Sequence, residues 1–280
     1  MTLPDKYSRL QEILRWMERV IVAFSGGVDS ALVLKVSAEV LGPEKVLAVT
    51  ADSESYPREE LESAQEFARA VGLDGKHRII RTEELSNPEY AANAPTRCFF
   101  CKDELYARLK EISEEENFQF ILDGCNLSDQ GDFRPGRAAA KKHGVRSPLI
   151  EAGLNKEEIR EIAKNLGLSV WDKPALACLS SRIPYGEKVT KEKLSQVEQA
   201  ESFLHALGFR QLRVRHHEKI ARIELEPEEI SNFLQTEIRE KVFQKFKEIG
   251  FLYVTLDLQG YRSGSMNEVL TLSQGKENGR

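Results

Sequence analysis

The sequence predicts an α/β fold: a doubly wound, mostly parallel sheet followed by a smaller α+β unit. Three observations carry this expectation. Short β-branched apolar runs alternate with amphipathic helical stretches from residue 20 to 122, the rhythm of a parallel sheet covered on both faces. The first of those runs leads directly into Ser25-Gly26-Gly27 and a helix. From Thr190 the order becomes helix, two strands, helix, strand, which suits a separate unit with its own core. The expected boundaries are a first domain over 1–188, a second over 189–268 and a disordered tail over 269–280.

Each element follows from local pattern. Leu10, Ile13, Leu14 and Met17 recur at helical spacing, so an amphipathic helix precedes the sheet. Val20-Ile21-Val22-Ala23-Phe24 shows no polar alternation and reads as a strand buried on both faces. Leu32, Leu34, Val36 and Val40 restore a helical period, which stops at Gly42-Pro43. A strand over 46–49 and a helix over 58–71 follow, then a strand at 78–80, a helix over 98–116 and a fourth strand over 118–122. The stretch 124–137 is dense in turn formers and reads as a loop at the carboxyl end of that strand. A helix spans 155–166. The segment 171–188 has two prolines and a glycine without a sustained period, and irregular segments of that length inside compact domains are usually functional. Beyond it come a helix over 190–207, strands at 211–217 and 220–225, a helical stretch over 228–248 and a closing strand over 251–258.

Composition bounds the function classes. With 41% hydrophobic and 30% charged residues, the chain can bury a core and is not a disordered polyelectrolyte. A net charge of −5 argues against a nucleic-acid partner, which calls for a cationic surplus. No apolar run approaches the roughly 18 residues of a membrane helix, and the charged N-terminal stretch lacks the apolar centre of a signal peptide. Four cysteines in 280 residues are too few for a disulfide scaffold. They point to the cytoplasm, and to metal or redox chemistry.

The most informative segment is Phe24-Ser25-Gly26-Gly27-Val28-Asp29-Ser30. Consecutive glycines permit a sharp turn and a close approach of backbone to a phosphate. Amides 26–30 would then face the anion from a helix N-terminus, with Ser25 and Ser30 as hydroxyl donors. A carboxylate beside a polyphosphate makes sense as a magnesium anchor or as an orienting acceptor, and Asp29 is the candidate for either role. Asp123-Gly124, ending the fourth strand, suits a second nucleotide contact at the same sheet edge. The plain alternative is a strand-to-helix turn capped by Ser30.

In this setting SGGVDS resembles the loop of the PP-loop ATP pyrophosphatases, which include GMP and NAD synthetases, argininosuccinate synthetase and sulfur-inserting enzymes. The resemblance implies that ATP is cleaved to AMP and pyrophosphate while a substrate oxygen is adenylated. It narrows through Leu122-Asp123-Gly124, Asp132-Phe133-Arg134-Pro135-Gly136, Ser180-Ser181-Arg182-Ile183-Pro184-Tyr185-Gly186, Leu212-Arg213-Val214-Arg215, Ile220-Ala221-Arg222-Ile223-Glu224-Leu225 and Tyr261-Arg262-Ser263-Gly264. Together these resemble the LarE-type sulfur transferases, over a span reaching from the first strand to about Asn267. The resemblance implies that MgATP adenylates a carboxylate of pyridinium-3,5-biscarboxylic acid mononucleotide, which becomes a thiocarboxylate. That step belongs to synthesis of the nickel-pincer nucleotide of lactate racemase. A homo-oligomer is implied as well.

The cysteines depart from the best-known members of that family, which spend the sulfur of one cysteine shortly before the SSR-x-PYG stretch. That position falls on Ala177, with Cys178 one residue later, so a sacrificial Cys178 is out of register. Cys98-Phe99-Phe100-Cys101 has no part in such chemistry. Thiols at i and i+3 share one side of a helical turn. With Cys178 they would hold three corners of a [4Fe–4S] cluster and leave one iron open, as in a three-cysteine variant that the chain resembles. A zinc site completed by His143 or Cys125 is an alternative, as are plain core thiols. Cys125 otherwise reads as a small residue near the nucleotide.

The remaining candidates are charged. Lys102 matches a family lysine and would neutralise phosphate charge as the adenylate forms. Arg213 and Arg215 share one strand face, and with Arg182 their forks suit the phosphate of a mononucleotide. The alternative is an exposed face with acidic neighbours such as Glu224. Glu201 matches a family acidic position fit to orient an arginine or a metal. His216 and His217 lack ligand spacing and are assigned to surface or packing. Two other functions remain in view: a PP-loop tRNA thiolase, which the acidic balance disfavours, and a non-catalytic ATP- or cluster-binding protein, which the intact SGGVDS disfavours.

Overall fold

The computed structural model describes residues 1–131, 135–174, 177–262 and 264–267. The chain forms two compact units, one of residues 1–90 and 95–176, the other of residues 91–94 and the chain from 177 onward. Segment 177–188, grouped by the sequence with the first domain, thus falls in the second unit. Asn93 ties it there: its side-chain amide donates to the carbonyls of Ile183 at 3.1 Å and Pro184 at 2.7 Å. The expected tail over 269–280 lies outside the described residues, as do Asp132, Phe133 and Arg134.

In the first unit, Thr2 and Asp5 form a reciprocal capping box that starts α1 (Leu3–Met17). Strands β1 (Val20–Ala23), β2 (Val46–Asp52), β3 (His77–Arg81) and β4 (Phe120–Leu122) make an all-parallel sheet in the order β3-β2-β1-β4. Helices α2 (Val28–Leu41), α3 (Arg58–Ala70), the single turn α4 (Pro88–Ala91) and α5 (Arg97–Glu115) alternate with the strands. After β4 come α6 (Gly136–Lys142), α7 (Pro148–Glu151) and α8 (Lys156–Asn165).

Strand parity divides the core. Val20, Val22, Val46, Ala48 and Leu122 pack in one cluster with Leu10, Leu32 and Ile159 of α1, α2 and α8. Ile21, Ala23, Leu47, Val49 and Ile121 pack in another with Leu105 and Leu109 of α5 and Ala139 of α6. Successive strand side chains point to opposite faces, and here helices cover both. That is why these strands read as unbroken apolar runs. β1 lies inside the sheet with β2 on one side and β4 on the other. The strand order therefore switches between β1 and β4, and the crevice at their carboxyl ends is where such sheets hold ligands.

The stretch expected as loop over 124–137 contains a 3₁₀ turn, Leu127–Gly131, and the start of α6. Neither α6, of 7 residues, nor α7, of 4, is long enough to display a helical period. In the second unit α9 (Lys191–Ala206) precedes β5 (Leu212–His217) and β6 (Ile220–Leu225), which are antiparallel. Residues 228–248, expected as one helical stretch, divide into α10 (Pro227–Phe233) and α11 (Thr236–Ile249), because Gln235 is extended with ψ 137°. Then β7 (Tyr253–Leu256) adds parallel to β6. Leu204, Leu212, Val214, Ile223, Phe246 and Phe251 form the core of this unit. Among the described residues no helix is long and apolar enough to cross a membrane.

Candidate active site

The loop between β1 and α2 is shaped by one residue that only glycine tolerates well: Gly26, at φ +71°. Gly27 is the N-cap of α2, and no side chain caps the helix, so its first amides are left for an anion. The hydroxyls do local work. Ser30 Oγ donates to the Gly27 carbonyl at 3.1 Å and accepts from the Ser25 amide at 3.2 Å, and it is only 3% exposed. Ser30 therefore sets the loop's curvature, while Ser25 is exposed. Tyr56 Oη donates to the Ser25 carbonyl at 2.9 Å, and Thr50 Oγ1 donates to that of Phe24 at 2.7 Å, fixing the loop from the β2 side.

The turn after β4 closes against this loop. A Cβ on Gly124 would lie 2.7 Å from the Ser30 nitrogen and 3.1 Å from Asp29 Cβ. Gly124 thus permits the approach of two backbones. Asp123 faces inward: Oδ1 accepts from the Cys125 amide at 3.1 Å and Ser147 Oγ at 2.7 Å, and Oδ2 from Tyr106 Oη at 3.4 Å. Two residues outside the sequence-derived set meet Asp29. Asn126 Nδ2 donates to Asp29 Oδ1 at 3.2 Å, and Lys156 Nζ donates to Oδ2 at 2.5 Å. The only sequence signal for Asn126 was its place three residues beyond Asp123 in the turn-rich stretch. Nothing in the sequence singled out Lys156.

Helix α5 carries the next group. Lys102 Nζ lies 5.7 Å over the Tyr106 ring, and its stem borders Gly136, where a Cβ would come within 3.1 Å of Lys102 Cγ. Burial, then the Asp123 carboxylate and the neighbouring Cys125 and Cys101 thiols, push the Tyr106 hydroxyl well above its ordinary value. Lys102, Cys101, Asp123 and Cys125 thus gather around one tyrosine. Burial and the Asp123 carboxylate push the Cys125 thiol up to about 12, so it stays protonated at neutral pH. Cys98 is exposed, Cys101 and Cys178 are half-buried, and none of the four cysteines is in a disulfide. Cys98 and Cys101 belong to the first unit and Cys178 to the second. Among the described residues no three of His, Cys, Asp or Glu form a group able to hold a metal ion. His143, the alternative zinc ligand, is bonded to Asp103, Nε2 to Oδ1 at 2.8 Å.

In the second unit the arginines are buried in a charge network, not spread on an exposed strand face. Arg182 forks onto Glu201, Nε to Oε1 at 3.0 Å and Nη2 to Oε2 at 2.7 Å. Arg215 forks onto Glu224 at 2.9 and 2.7 Å and donates to Ser265 Oγ at 2.8 Å. Arg213 donates to the Leu212 carbonyl at 2.6 Å and lies 5.2 Å over the Tyr261 ring. Burial opposes the charge on Glu201, but the Arg182 guanidinium outweighs it and holds the carboxyl below the usual range. Burial, then the neighbouring Arg182, holds the Arg213 guanidinium below its ordinary value. Arg222 also reaches Glu224, Nη2 to Oε1 at 3.1 Å, and bridges to Asp257 at 3.6 Å, so among the described residues guanidiniums outnumber the carboxylates they meet and an added anion would be accommodated. His216 bonds Gln196, Nε2 to Oε1 at 2.9 Å, and packs on Phe251.

Comparison with known proteins decides the family. A model of the NAD synthase family matches residues 8–113. An uncharacterized protein of Synechocystis sp. is 48% identical over 269 residues, 96% of this chain and 99% of that one. The pyridinium-3,5-bisthiocarboxylic acid mononucleotide synthase of Lactiplantibacillus plantarum is 41% identical over 273 residues, 98% of each chain. The chain belongs to the LarE-type family of PP-loop enzymes. An uncharacterized protein of Methanocaldococcus jannaschii is 29% identical over 246 residues, 88% of this chain and 92% of that one. Within this LarE-type chain the first unit brings together Ser25, Gly26, Gly27, Asp29, Ser30 and Gly124, with Asp123 behind them. The second gathers Arg182, Glu201, Arg213 and Arg215.

Proposed function

We propose that the chain is an ATP-dependent sulfur transferase that adenylates a carboxylate of pyridinium-3,5-biscarboxylic acid mononucleotide and converts it to a thiocarboxylate, within nickel-pincer nucleotide synthesis and lactate racemase maturation. One observation carries the reading: a phosphate loop at the switch point of the sheet, in a chain 41% identical end to end to a synthase of that product. In this reading a substrate carboxylate oxygen attacks the α-phosphorus of ATP and pyrophosphate leaves. The amides of residues 26–30 hold the departing phosphates, and Asp29 anchors Mg2+. Lys102 neutralises charge as the adenylate forms. Arg213 and Arg215, with Arg182 held by Glu201, take the substrate phosphate.

Cys98 and Cys101, one helical turn apart, suit two corners of a [4Fe–4S] cluster, and Cys178 supplies the third in this proposal. Three thiolates would suit a cluster with one open iron better than a structural zinc, which closes its shell with four, but among the described residues they are not assembled into such a group. A cluster held by these cysteines would supply inorganic sulfide; in the adenylate the acyl carbon would exchange its bond to the AMP oxygen for a bond to sulfur. The protein works in the cytoplasm as a homo-oligomer.

The test combines MgATP with the pyridinium dicarboxylate mononucleotide, using protein purified and reconstituted without oxygen. Pyrophosphate and a thiocarboxylate are expected, with no change in protein mass. Absence of substrate-dependent pyrophosphate would sink the activity itself. A protein mass lowered by one hydrogen sulfide after turnover would replace the cluster with a sacrificial Cys178.

A further inference from the structure

Asn93 holds a backbone conformation that is uncommon outside glycine. Its φ is +57°, in the left-handed region that asparagine enters more readily than most residues with a side chain. It is also 0% exposed. It lies in residues 91–94, a short run that belongs to the second unit while the chain on either side belongs to the first. What offsets the strain is the set of contacts the residue then makes. Nδ2 donates to two consecutive carbonyls, Ile183 at 3.1 Å and Pro184 at 2.7 Å. The Asn93 carbonyl accepts from the Gly186 amide at 3.1 Å, and that of Ala91 accepts from the Val189 amide at 2.9 Å. Both side-chain partners are acceptors, so the position calls for a double donor. An aspartate of the same shape would set oxygen against oxygen.

The other end of the held loop carries Cys178. Arg182 Nη1 donates to the carbonyls of Ala177 at 2.6 Å and Cys178 at 3.1 Å, and the Ser181 amide donates to the Cys178 carbonyl at 2.9 Å. Cys178 is the N-cap of the 3₁₀ turn Leu179–Arg182, and Ile183 is its C-cap. Asn93 therefore grips the chain at the residue that closes the turn which Cys178 opens. Left-handed residues that are not glycine persist where the surroundings hold them, and they cluster at functional sites.

We propose that Asn93 is a positioning residue for the Cys178 loop. Its amide fixes Ile183 and Pro184, and through the 3₁₀ turn it fixes the place of Cys178, without itself touching substrate. Resting on the sulfur-transfer reading above, this role concerns the second half of the reaction, where the adenylate has two fates. Attack by sulfur on the acyl carbon breaks its bond to the AMP oxygen and gives the thiocarboxylate. Attack by water breaks the same bond and returns the carboxylate and AMP. A loop released by Asn93 leaves more of the adenylate to water.

The experiment measures thiocarboxylate formed per pyrophosphate released, at saturating MgATP and pyridinium dicarboxylate mononucleotide, in full-length protein reconstituted without oxygen. Asn93→Gly keeps the left-handed backbone at little cost and removes the amide. Asn93→Asp keeps the shape and removes the donors, and it carries the test if Asn93→Gly does not fold. In either variant the ratio falls about tenfold, the size of a pair of neutral hydrogen bonds, while pyrophosphate release changes by less than about twofold. Amide exchange at Gly186 and Val189, followed without substrate, quickens in the same variants. If the ratio stays at the wild-type value, if both products fall in equal measure, or if exchange is unchanged, Asn93 is a structural tie only and the proposal is overturned. A wild-type protein that releases no substrate-dependent pyrophosphate would overturn the sulfur-transfer reading instead.

Discussion

At Gly124 one hydrogen atom keeps two backbones apart. A methyl there would meet the Ser30 nitrogen at 2.7 Å and the Asp29 backbone carbon at 3.1 Å, and neither can move without moving the phosphate loop. Gly124→Ala is expected to cost roughly 1–3 kcal/mol through overpacking and to weaken nucleotide binding. A thermal melt and a titration check this together; unchanged affinity would mean that the turn after β4 does not support the loop. Gly26 differs in kind, since its demand is for a left-handed backbone at φ +71°.

Elements are joined by buried pairs in the second unit, where the Arg182–Glu201 fork ties the 3₁₀ turn Leu179–Arg182 to α9. Glu201 also accepts from the Val214 amide at 2.8 Å, adding β5 to the tie. Because its folded carboxyl is held below the usual range, the tie contributes fully above the ordinary glutamate value of about 4.3. It is lost as pH falls through the depressed folded value. Acid titration followed by circular dichroism should show stability falling below about pH 4. Glu201→Gln should remove that part of the pH dependence and cost about 3–5 kcal/mol at neutral pH, because it leaves Arg182 buried beside a neutral partner. A variant with an unchanged acid profile would show that Glu201 is not the titrating group.

For the whole molecule, the nucleotide loop and the arginine cluster belong to different compact units. MgATP should therefore slow amide exchange over 24–31 and 123–129 in the first unit. At a hundredfold excess over Kd it should stabilise the protein by about 2.7 kcal/mol. Exchange mass spectrometry with and without MgATP reads both, and protection absent from 24–31 would contradict the assignment of that loop. The parallel sheet and its loop were legible because their signals are local. An apolar run without alternation means a strand covered twice, and SGGVDS between strand and helix leaves little else for the backbone to do. Asn126 and Lys156 were not legible, because they reach Asp29 across 97 and 127 residues. The splitting of 228–248 and the short α6 and α7 escaped because a helix of one or two turns has no period to read.

The sequence by itself determined the α/β class, the order of the strands along the chain, the phosphate loop and the family. Tertiary structure alone decided which charge meets which: Lys156 on Asp29, Arg182 on Glu201, Arg215 on Glu224, Asp123 turned inward to Tyr106 and Ser147. The reason is range. Backbone conformation answers to neighbours a few residues away, whereas an ion pair forms between whichever charged groups the packed core brings within about 4 Å.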